Sequence, residues 1–419
     1  MSELKSIRSK AAITGVGLVS ALGDNPKALH QALCQGECAG VSVTSINERE
    51  LAEAAIAAPV PDFEPSHYLG DENFRPLDRA GKLTVCAAHL ALESANWTSE
   101  LRAETELDLI VGTTFCGAHT ITQFDRDTQV SGPKFAKPLS FANTVINAAA
   151  GHTAIWHNLR GANTTVVAGK VSGLRSLKHA QMQIGLKTSK VALVGGVEEF
   201  CFESFRAFKG SKQLQSSKAA GASLPFSQPR DGFFLGEGSA FVVLEDAAFA
   251  KERGADVLAE LLGHGSSYDV SRGKDESNAV ECYVGAILSA LEFAGLSADD
   301  IDCISCSANG SRKEDRYEAL ALANVFGERL GSVPATALSH ALGETLGASG
   351  MLQTIAFIES AREGRLPGVS GIATAQLDDS LPKLNINDQA LDGTFNTGLV
   401  VSLGYDGSSA ASIISVPSS

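Results

Sequence analysis

Short apolar runs rich in β-branched residues alternate along this chain with amphipathic stretches and with stretches of small residues. Apolar runs of about four to eight residues are typical of buried strands, whereas longer segments with apolar residues three and four apart are typical of helices. Their regular alternation predicts an α/β protein whose strands are covered on both faces.

The pattern predicts a buried strand at each of the compact apolar runs and a helix at each long amphipathic or small-residue segment. The predicted strands are AAITGVG, LDLIVGTT, NTTVVAG, KVALVGGV, SAFVVLE, VLAELLGHG, DCISCSA, NTGLVVSLGY and ASIISV. The predicted helices cover about Pro26 to Cys34, Lys82 to Ser94, Val171 to Ile184, Ser277 to Ala294, Glu314 to Phe326 and Thr345 to Glu363.

The chain divides into two halves at a charged stretch, LEDAAFAKERGADVLAELLG. We place the boundary near residue 250, which gives an N-terminal half at 1–250 and a C-terminal half at 251–419. In each half a strand leads into a helix that begins with small residues, VVAGKVSG in the first and SHALGETLGASG in the second. This shared order indicates an internal duplication, although no clean sequence period proves it.

Composition excludes several classes of function. The net charge of −14 and the pI near 5.1 argue against nucleic acid or an anionic membrane as the main partner, because both need a basic surface. The segment MSELKSIRSK and the apolar residues after it imitate a signal peptide, but Gly15, Gly17 and Gly23 interrupt the apolar run. No run approaches the roughly 18 apolar residues of a membrane span, so we expect a cytoplasmic protein.

Eight cysteines are scattered along the chain, and a CxxC spacing occurs at Cys303 and Cys306 in DCISCSA. Residues three apart on a strand face opposite sides, and no second ligand pair lies at short spacing. We therefore expect buried thiols in a reducing compartment rather than a metal site.

The segment NTTVVAGKVSGL joins a strand to a helix at Lys170. Several enzyme classes expose a nucleophile at such a corner, because unpaired backbone N–H groups and the helix dipole there stabilise an anion. A lysine is unfavourable at this position, since its charge opposes the dipole by up to about 1 kcal/mol unless a carboxylate compensates.

Four other segments allow a structural or a chemical role. Glu344, in SHALGETLGASGMLQ, precedes a helix and is an ordinary dipole-compensating acid when considered alone. Asn309, in SCSANGS, is consistent with a simple turn. The PRDG turn and the GEG bulge after it are explained by a structural role alone, as breaks between regular elements. The turn from Gly404 to Gly407 is either a tight hairpin or an oxyanion-binding loop.

In this order and spacing, these segments resemble the β-ketoacyl-acyl carrier protein synthases of the thiolase superfamily. The resemblance spans residues 11 to 415 and is carried by AAITGVGLVSALG, SGPKFAKPLSFANTVINAAAGHTAI, LRGANTTVVAG, PFSQPRDGFFLGEGSAFVVLE and GETLGASGMLQ. It implies a thiolase-like α/β fold, in which two fused βαβαβαββ halves form a five-layered αβαβα arrangement, and it implies tight dimers.

Catalysis in that family needs a cysteine that takes the acyl chain as a thioester and two histidines that help to decarboxylate a malonyl unit. Matched by motif, the cysteine position is Lys170 and the histidine positions are Asn309 and Glu344. A supporting lysine and a supporting glutamate are replaced by Ser339 and Gln353. The resemblance therefore implies a chain that has no catalytic residues of its own at these positions.

The glycine-rich turn of the family is also altered, with Leu403, Tyr405 and Asp406 in LGYDG. A nucleophilic amine needs burial or a neighbouring cation, whereas the position matched to the neighbouring histidine is here an acid. We therefore expect Lys170 and Glu344 to form a buried ion pair that fills the inactive site.

An inactive chain on a dimer-forming scaffold resembles a chain-length factor, the subunit that pairs with an active ketosynthase in type II polyketide systems and completes the acyl tunnel. The family's tunnel and interface segments match Phe115, Cys116, Phe135, Phe141, Asn143 and Thr144, whose alternative role is interface core. The resemblance implies no cofactor, no metal, a ketosynthase partner, and an acyl carrier protein that docks mainly on that partner.

The known chain-length factors often carry glutamine at the nucleophile position, so Lys170 is a departure from their pattern. Two other hypotheses stay open at this stage. One is a homodimeric thiolase-fold enzyme with altered chemistry, such as a decarboxylase or an acyltransferase. The other is a non-enzymatic acyl-binding or scaffold protein.

Overall fold

A computed structural model describes residues 11–216 and 224–417. The basic segment 1–10, which imitates the start of a signal peptide, lies outside these ranges. A strand is present at each position where the apolar pattern predicts one. The strands, numbered in chain order, are β1 Ala11–Ser20, β2 Val41–Ile46, β3 Arg49–Ala58, β4 Asp108–Thr113, β5 Asn163–Val167, β6 Val191–Glu198, β7 Leu235–Gly236, β8 Gly238–Asp246, β9 Ala259–Tyr268, β10 Cys303–Cys306, β11 Pro334–Ala337, β12 Arg365–Leu366, β13 Asn385–Ile386, β14 Leu391–Asp392, β15 Thr397–Leu403 and β16 Ser408–Ser415.

All six predicted helices are also present, with small differences at their ends. The α-helices of the described ranges are Pro26–Cys34, Ser66–Leu69, Arg79–Ser94, Ser99–Glu104, Ala118–Ser131, Pro138–Phe141, Ala148–Trp156, Ser172–Gly185, Phe202–Gly210, Ala247–Glu252, Glu276–Ala294, Arg312–Phe326, Ser339–Leu342, Ser349–Glu363 and Ile372–Ala375. The helix expected from Thr345 begins at Ser349 instead, because a 3₁₀ turn, Leu346–Ala348, precedes it.

The main sheet has eleven strands in the order β13-β11-β10-β15-β16-β9-β1-β8-β6-β4-β5. The two halves meet where β1 pairs with β9 over Ala11–Ile13. Each half contributes five of the strands to this sheet, β1, β4, β5, β6 and β8 in the first half and β9, β10, β11, β15 and β16 in the second, apart from the edge strand β13. When the five are numbered in chain order, both halves show the same spatial order, 3-2-4-5-1. In both halves the fifth strand is antiparallel to its neighbours. This repeated topology supports the duplication that the sequence indicates.

The three largest apolar cores hold five layers together, because each sheet half is covered on both faces and the central core contacts both halves. Helix Arg79–Ser94 packs on the outer face of the first half, and helices Glu276–Ala294 and Arg312–Phe326 pack on the outer face of the second. Helices Ser172–Gly185 and Ser349–Glu363 lie between the two halves and share one core with both. The α/β fold class with a thiolase-like arrangement is therefore confirmed.

The chain passes from the first half to the second through helix Ala247–Glu252, which contains residue 250. The domain boundary placed there stays a prediction. The thiols of the CxxC pair are confirmed as buried and free, and they point to different cores: Cys303 lies in the central core and Cys306 in the outer core of the second half.

Glycines bring the ends of several elements together at one place. A Cβ on Gly112, in β4, would lie 2.5 Å from the carbonyl carbon of Ser172, and a Cβ on Gly347 would lie 2.7 Å from the Cα of Thr113. Backbone can approach this closely only where side chains are absent. The corner after β5 and the turn before helix Ser349–Glu363 therefore meet at the end of β4.

Candidate functional site

Lys170 lies at the predicted strand-to-helix corner. It is the middle residue of a 3₁₀ turn, Gly169–Val171, between β5 and helix Ser172–Gly185. Gly169 has a φ of +61°, a conformation in which a side chain would be strained, so glycine makes the sharp turn possible. The turn directs Lys170 inward, where the residue is only 4% exposed.

The ammonium group of Lys170 is held by two acceptors. Its Nζ lies 2.6 Å from Oε2 of Glu344 and donates a hydrogen bond of 2.7 Å to the carbonyl oxygen of Ser307. Glu344 is completely buried. The ion pair expected from the sequence is therefore present.

Each oxygen of the Glu344 carboxylate accepts two hydrogen bonds or charged contacts. Besides Lys170, Oε2 accepts a bond of 2.7 Å from Nδ2 of Asn309. Oε1 accepts bonds from the backbone N–H of Leu346 at 2.9 Å and from the hydroxyl of Ser349 at 2.8 Å. Burial raises the pKa of Glu344, but the attraction of Lys170 and these hydrogen bonds outweigh it, so the pKa lies below its usual value.

Asn309 links the ion pair to an aromatic cluster. Its Nδ2 also donates to the hydroxyl oxygen of Tyr405 at 3.1 Å. The Tyr405 ring stacks on Phe233, with centroids 5.6 Å apart, and meets Phe208 edge-on at 5.4 Å. Phe115 contacts the far side of this cluster through Phe208. The ion pair is therefore joined through Asn309 and Tyr405 to a cluster of four aromatic rings.

The altered glycine-rich turn is a tight hairpin, which was one of its two possible forms. The backbone N–H of Gly404 donates to the carbonyl oxygen of Ser408 at 2.7 Å, and Gly407 has a φ of +92°. Leu403, the last residue of β15, is buried. The carboxylate of Asp406 accepts from the backbone N–H of Ser408 and lies against Gly169. A carboxylate at this point repels an oxyanion.

The two neutral replacements, Ser339 and Gln353, also line the site. Ser339 donates its hydroxyl to the carbonyl oxygen of Ala308, and Gln353 donates Nε2 to the carbonyl oxygen of Cys306 at 2.8 Å. With Lys170 and Glu344 they enclose a cavity of about 20 Å³. This is room for about one water molecule and not for an acyl chain.

A second layer of acids, which the sequence analysis did not identify, lies behind the site. Asp315 accepts from the backbone N–H groups of Asn309 and Phe226, and burial raises its pKa to about 6. Glu318 accepts from Ser307 N–H and from the Tyr283 hydroxyl, and burial raises its pKa to about 7. Their spacing of three residues on one buried face of helix Arg312–Phe326 is the signal that could have identified them.

The six predicted tunnel and interface residues divide into two groups. Cys116 and Asn143 are buried, Phe115 and Thr144 are half-buried, and Phe135 and Phe141 are 73% and 63% exposed. Asn143 donates to the carbonyl oxygen of Pro76, and its own backbone oxygen faces Gly117, next to Cys116. The structure therefore brings Cys116 and Asn143 together and leaves the two phenylalanines on the surface. Their role in a tunnel stays a prediction.

In the described part of the chain, no group of three histidine, cysteine or acidic side chains is placed to hold a metal ion. No helix in residues 11–216 or 224–417 is long and apolar enough to cross a membrane.

Comparison with known proteins identifies the family. The β-ketoacyl synthase N-terminal domain matches residues 8–250, and the β-ketoacyl synthase C-terminal domain matches residues 258–372. The 3-oxoacyl-[acyl-carrier-protein] synthase 2 of Rhizobium meliloti is 29% identical and covers 97% of this chain and 98% of its own. The enzyme of the same name from Coxiella burnetii is 26% identical, with coverages of 97% and 99%.

Among solved structures, the ishigamide ketosynthase/chain length factor is similar, with a TM-score of 0.89 and 25% identity over 98% of this chain and 100% of the other. A ketosynthase, ApeO, solved with its chain length factor, ApeC, from Xenorhabdus doucetiae, gives a TM-score of 0.83 at 20% identity over 98% of both chains. The fold, the order of the motifs and both domain matches agree, and the chain belongs to the β-ketoacyl synthase family.

Proposed function

We propose that this chain is a non-catalytic, chain-length-factor-type subunit, which pairs with an active β-ketoacyl synthase and shapes the tunnel for the growing polyketide or polyene chain. The observation that carries the proposal is the ion pair between Lys170 and Glu344. An ammonium group held by a carboxylate and by the Ser307 carbonyl offers no free lone pair for attack on a thioester.

The shape of the site supports the same conclusion. The space around Lys170 has the volume of about one water molecule, and Asn309 links the ion pair to the aromatic cluster around Tyr405. Asp406 places a carboxylate against Gly169, next to Lys170, where negative charge would repel an oxyanion formed at this corner. The site therefore lacks a nucleophile, a group that stabilises an oxyanion and room for an acyl chain. An enzyme with one altered catalytic step would not need to lose all three.

The surface supports a subunit partner. Nine of the sixteen large apolar side chains that are exposed within the described ranges fall between residues 118 and 167. This stretch ends in β5, the outermost strand of the first half, whose free edge has unpaired backbone groups. Exposed apolar side chains beside a free strand edge are typical of an interaction surface.

A cavity of about 230 Å³ lies beside this surface. Polar and charged residues line most of it, Arg75 and Asp78 among them, and its apolar lining residues are Leu77, Phe124 and Leu139. A cavity of this size, next to the exposed Phe141, gives an acyl chain from the partner a place to extend. The net charge of −14 favours docking of an acidic carrier protein mainly on the partner, in the cytoplasm.

The test is co-expression of the full chain with the active ketosynthase encoded beside it, followed by size-exclusion chromatography and mass spectrometry of the products. We expect a heterodimer, no condensation by this chain alone, and a changed product length when Phe141 is replaced by a smaller residue. Lys170→Cys alone is expected to leave the chain inactive, because Asn309 and Glu344 still replace both histidines. Turnover by a homodimer of the unaltered chain would contradict the proposal.

A further inference from the structure

Three basic side chains lie together between helix Ser172–Gly185 and β9, apart from the inactive site. Arg175 and Lys178 are three residues apart on the helix and therefore share a face. Lys178 donates a hydrogen bond of 2.9 Å to the hydroxyl of Ser266. His264 is two residues from Ser266 on β9 and lies on the same side of the strand. The hydrogen bond thus places Lys178 over the face of β9 that carries His264.

Two members of the cluster have buried polar atoms without hydrogen-bond partners. The Nε of Arg175 and both ring nitrogens of His264 are buried and have no hydrogen-bond partner in the described ranges, and His264 is 6% exposed. Burial, followed by the charge of Lys178, lowers the pKa of His264 to about 3, so the ring is neutral and has one N–H to donate.

The pKa of Lys178 is shifted in the same direction as that of His264. Burial, followed by the charge of Arg175, lowers its pKa. In residues 11–216 and 224–417, no carboxylate forms an ion pair with Arg175, Lys178 or His264. Buried polar groups are normally satisfied, and leaving them without partners costs free energy. The His264 ring packs against Phe293, with centroids 5.0 Å apart, but neither ring nitrogen is hydrogen-bonded. On a chain with a net charge of −14, two cations without a carboxylate partner beside these nitrogens indicate an anionic partner.

We propose that Arg175, Lys178 and His264 form a binding site for one oxyanion group, a carboxylate or a phosphate. A guanidinium can hold two oxygens side by side, the ammonium adds a point charge, and the neutral imidazole adds one N–H donor. A free small molecule or an acidic side chain of a partner subunit can supply this group. Met182 and Leu186, one and two turns further along the same side, are exposed apolar residues of the kind that border subunit contacts.

The first experiment uses the isolated full chain and inorganic phosphate at constant ionic strength. We expect phosphate to raise the thermal midpoint and to shift the ring ¹⁵N signals of His264. The double variant Arg175→Gln/Lys178→Gln should bind phosphate at least about tenfold more weakly, because it loses charge-assisted hydrogen bonds. The control, Lys187→Gln/Lys190→Gln, removes equal charge just beyond the same helix and should respond like the unaltered chain.

The second experiment measures the affinity of the same two variants for the ketosynthase. Loss of phosphate response alone assigns the site to a free oxyanion, and a loss of heterodimer affinity assigns it to an acidic side chain of the partner. The inference is overturned when Arg175→Gln/Lys178→Gln behaves like the control in both experiments. If the unaltered chain forms no heterodimer, the proposed function is wrong. The phosphate titration does not depend on the partner and still tests the oxyanion site.

Discussion

The two charges at the centre of this chain are compatible with burial because they are paired. Lys170 and Glu344 are both buried, and their Nζ and Oε2 atoms are 2.6 Å apart. Removing one member of a buried pair leaves the other charge without compensation, which is costly, whereas replacing both with neutral groups is much less so. Asn309, Leu346 and Ser349 satisfy the rest of the carboxylate, but they do not replace the cation.

We therefore expect Lys170→Met to lower the free energy of unfolding at pH 7 by about 3–5 kcal/mol, measured by urea denaturation. The double variant Lys170→Met/Glu344→Gln should recover at least half of that loss. Lys187→Met is the control, because it breaks an exposed ion pair with Asp246 and should cost less than about 1 kcal/mol. Equal losses for Lys170→Met and the control would show that the buried pair does not stabilise the fold.

Glu199 leads to a prediction of how the stability of the fold depends on pH. Burial, followed by repulsion from Asp78, Glu198 and Glu237, raises its pKa from 4.5 to about 8. The folded state thus holds a proton that the unfolded state releases near pH 4.5. The stability contributed by this proton is complete below that pH and is lost as the pH rises through about 8.

Glu199→Gln should therefore remove part of the fall in unfolding free energy between pH 5 and 9, about 1 kcal/mol or more. Urea denaturation at several pH values measures this slope. The exposed Glu104→Gln variant is the control and should keep the slope of the unaltered chain. Parallel pH profiles for Glu199→Gln and the unaltered chain would contradict the assignment.

At the scale of the elements, two glycines serve different purposes: Gly112 allows close packing of two backbones, whereas Gly151 has open space around it. A Cβ on Gly112 would lie 2.5 Å from the backbone of Ser172, where β4 meets the start of helix Ser172–Gly185. Gly151 lies inside helix Ala148–Trp156, and a Cβ there would meet nothing within 4 Å.

We expect Gly112→Ala to destabilise the protein by about 1–3 kcal/mol through overpacking. Gly151→Ala should stabilise it by about 0.5–1 kcal/mol, because alanine is the better helix former. Chemical denaturation measures the free energy of unfolding of both variants. A neutral Gly112→Ala would mean that the corner carrying Lys170 can move away from β4.

At the scale of the whole molecule, the proposal predicts where a partner binds. Val167, at the end of β5, and Val41, on β2, are almost equally exposed, at 52% and 50%. Val167 is the last residue of the apolar stretch 118–167 and lies on the edge strand, whereas Val41 lies on a separate three-stranded sheet.

Val167→Asp should weaken the heterodimer about tenfold or more, because it buries a charge in an apolar contact, whereas Val41→Asp should leave the affinity unchanged. Both variants should unfold at the same denaturant concentration as the unaltered chain. Analytical ultracentrifugation with the ketosynthase measures the affinities. Equal affinities for the two variants would place the partner on another face.

The sequence by itself determined the α/β fold class, because buried strands and small-residue corners leave strong local patterns. Its resemblance to the β-ketoacyl synthases located the candidate site, because Lys170, Asn309 and Glu344 stand at matched motif positions. It also suggested an ion pair, since an acid and a base at two matched positions can compensate each other when buried, and the structure established the contact. Helix Ala118–Ser131 and the hairpin of β2 and β3 were not predicted. The helix buries no residue completely and the hairpin is largely exposed, so neither has a clear apolar period.

Only the tertiary structure decided how completely the site is filled. Asn309, expected in a simple turn, accepts from the backbone N–H of Ser311 there, and Gly310 takes the positive φ of that turn. Its Nδ2 also bonds Glu344 and Tyr405, which the local sequence did not predict. The contacts of Tyr405 with Phe208 and Phe233 join segments about 170 to 200 residues apart in the chain, and no local pattern encodes them. The basic cluster around His264 emerged for the same reason, since it depends on a helix and a strand from different halves meeting in space.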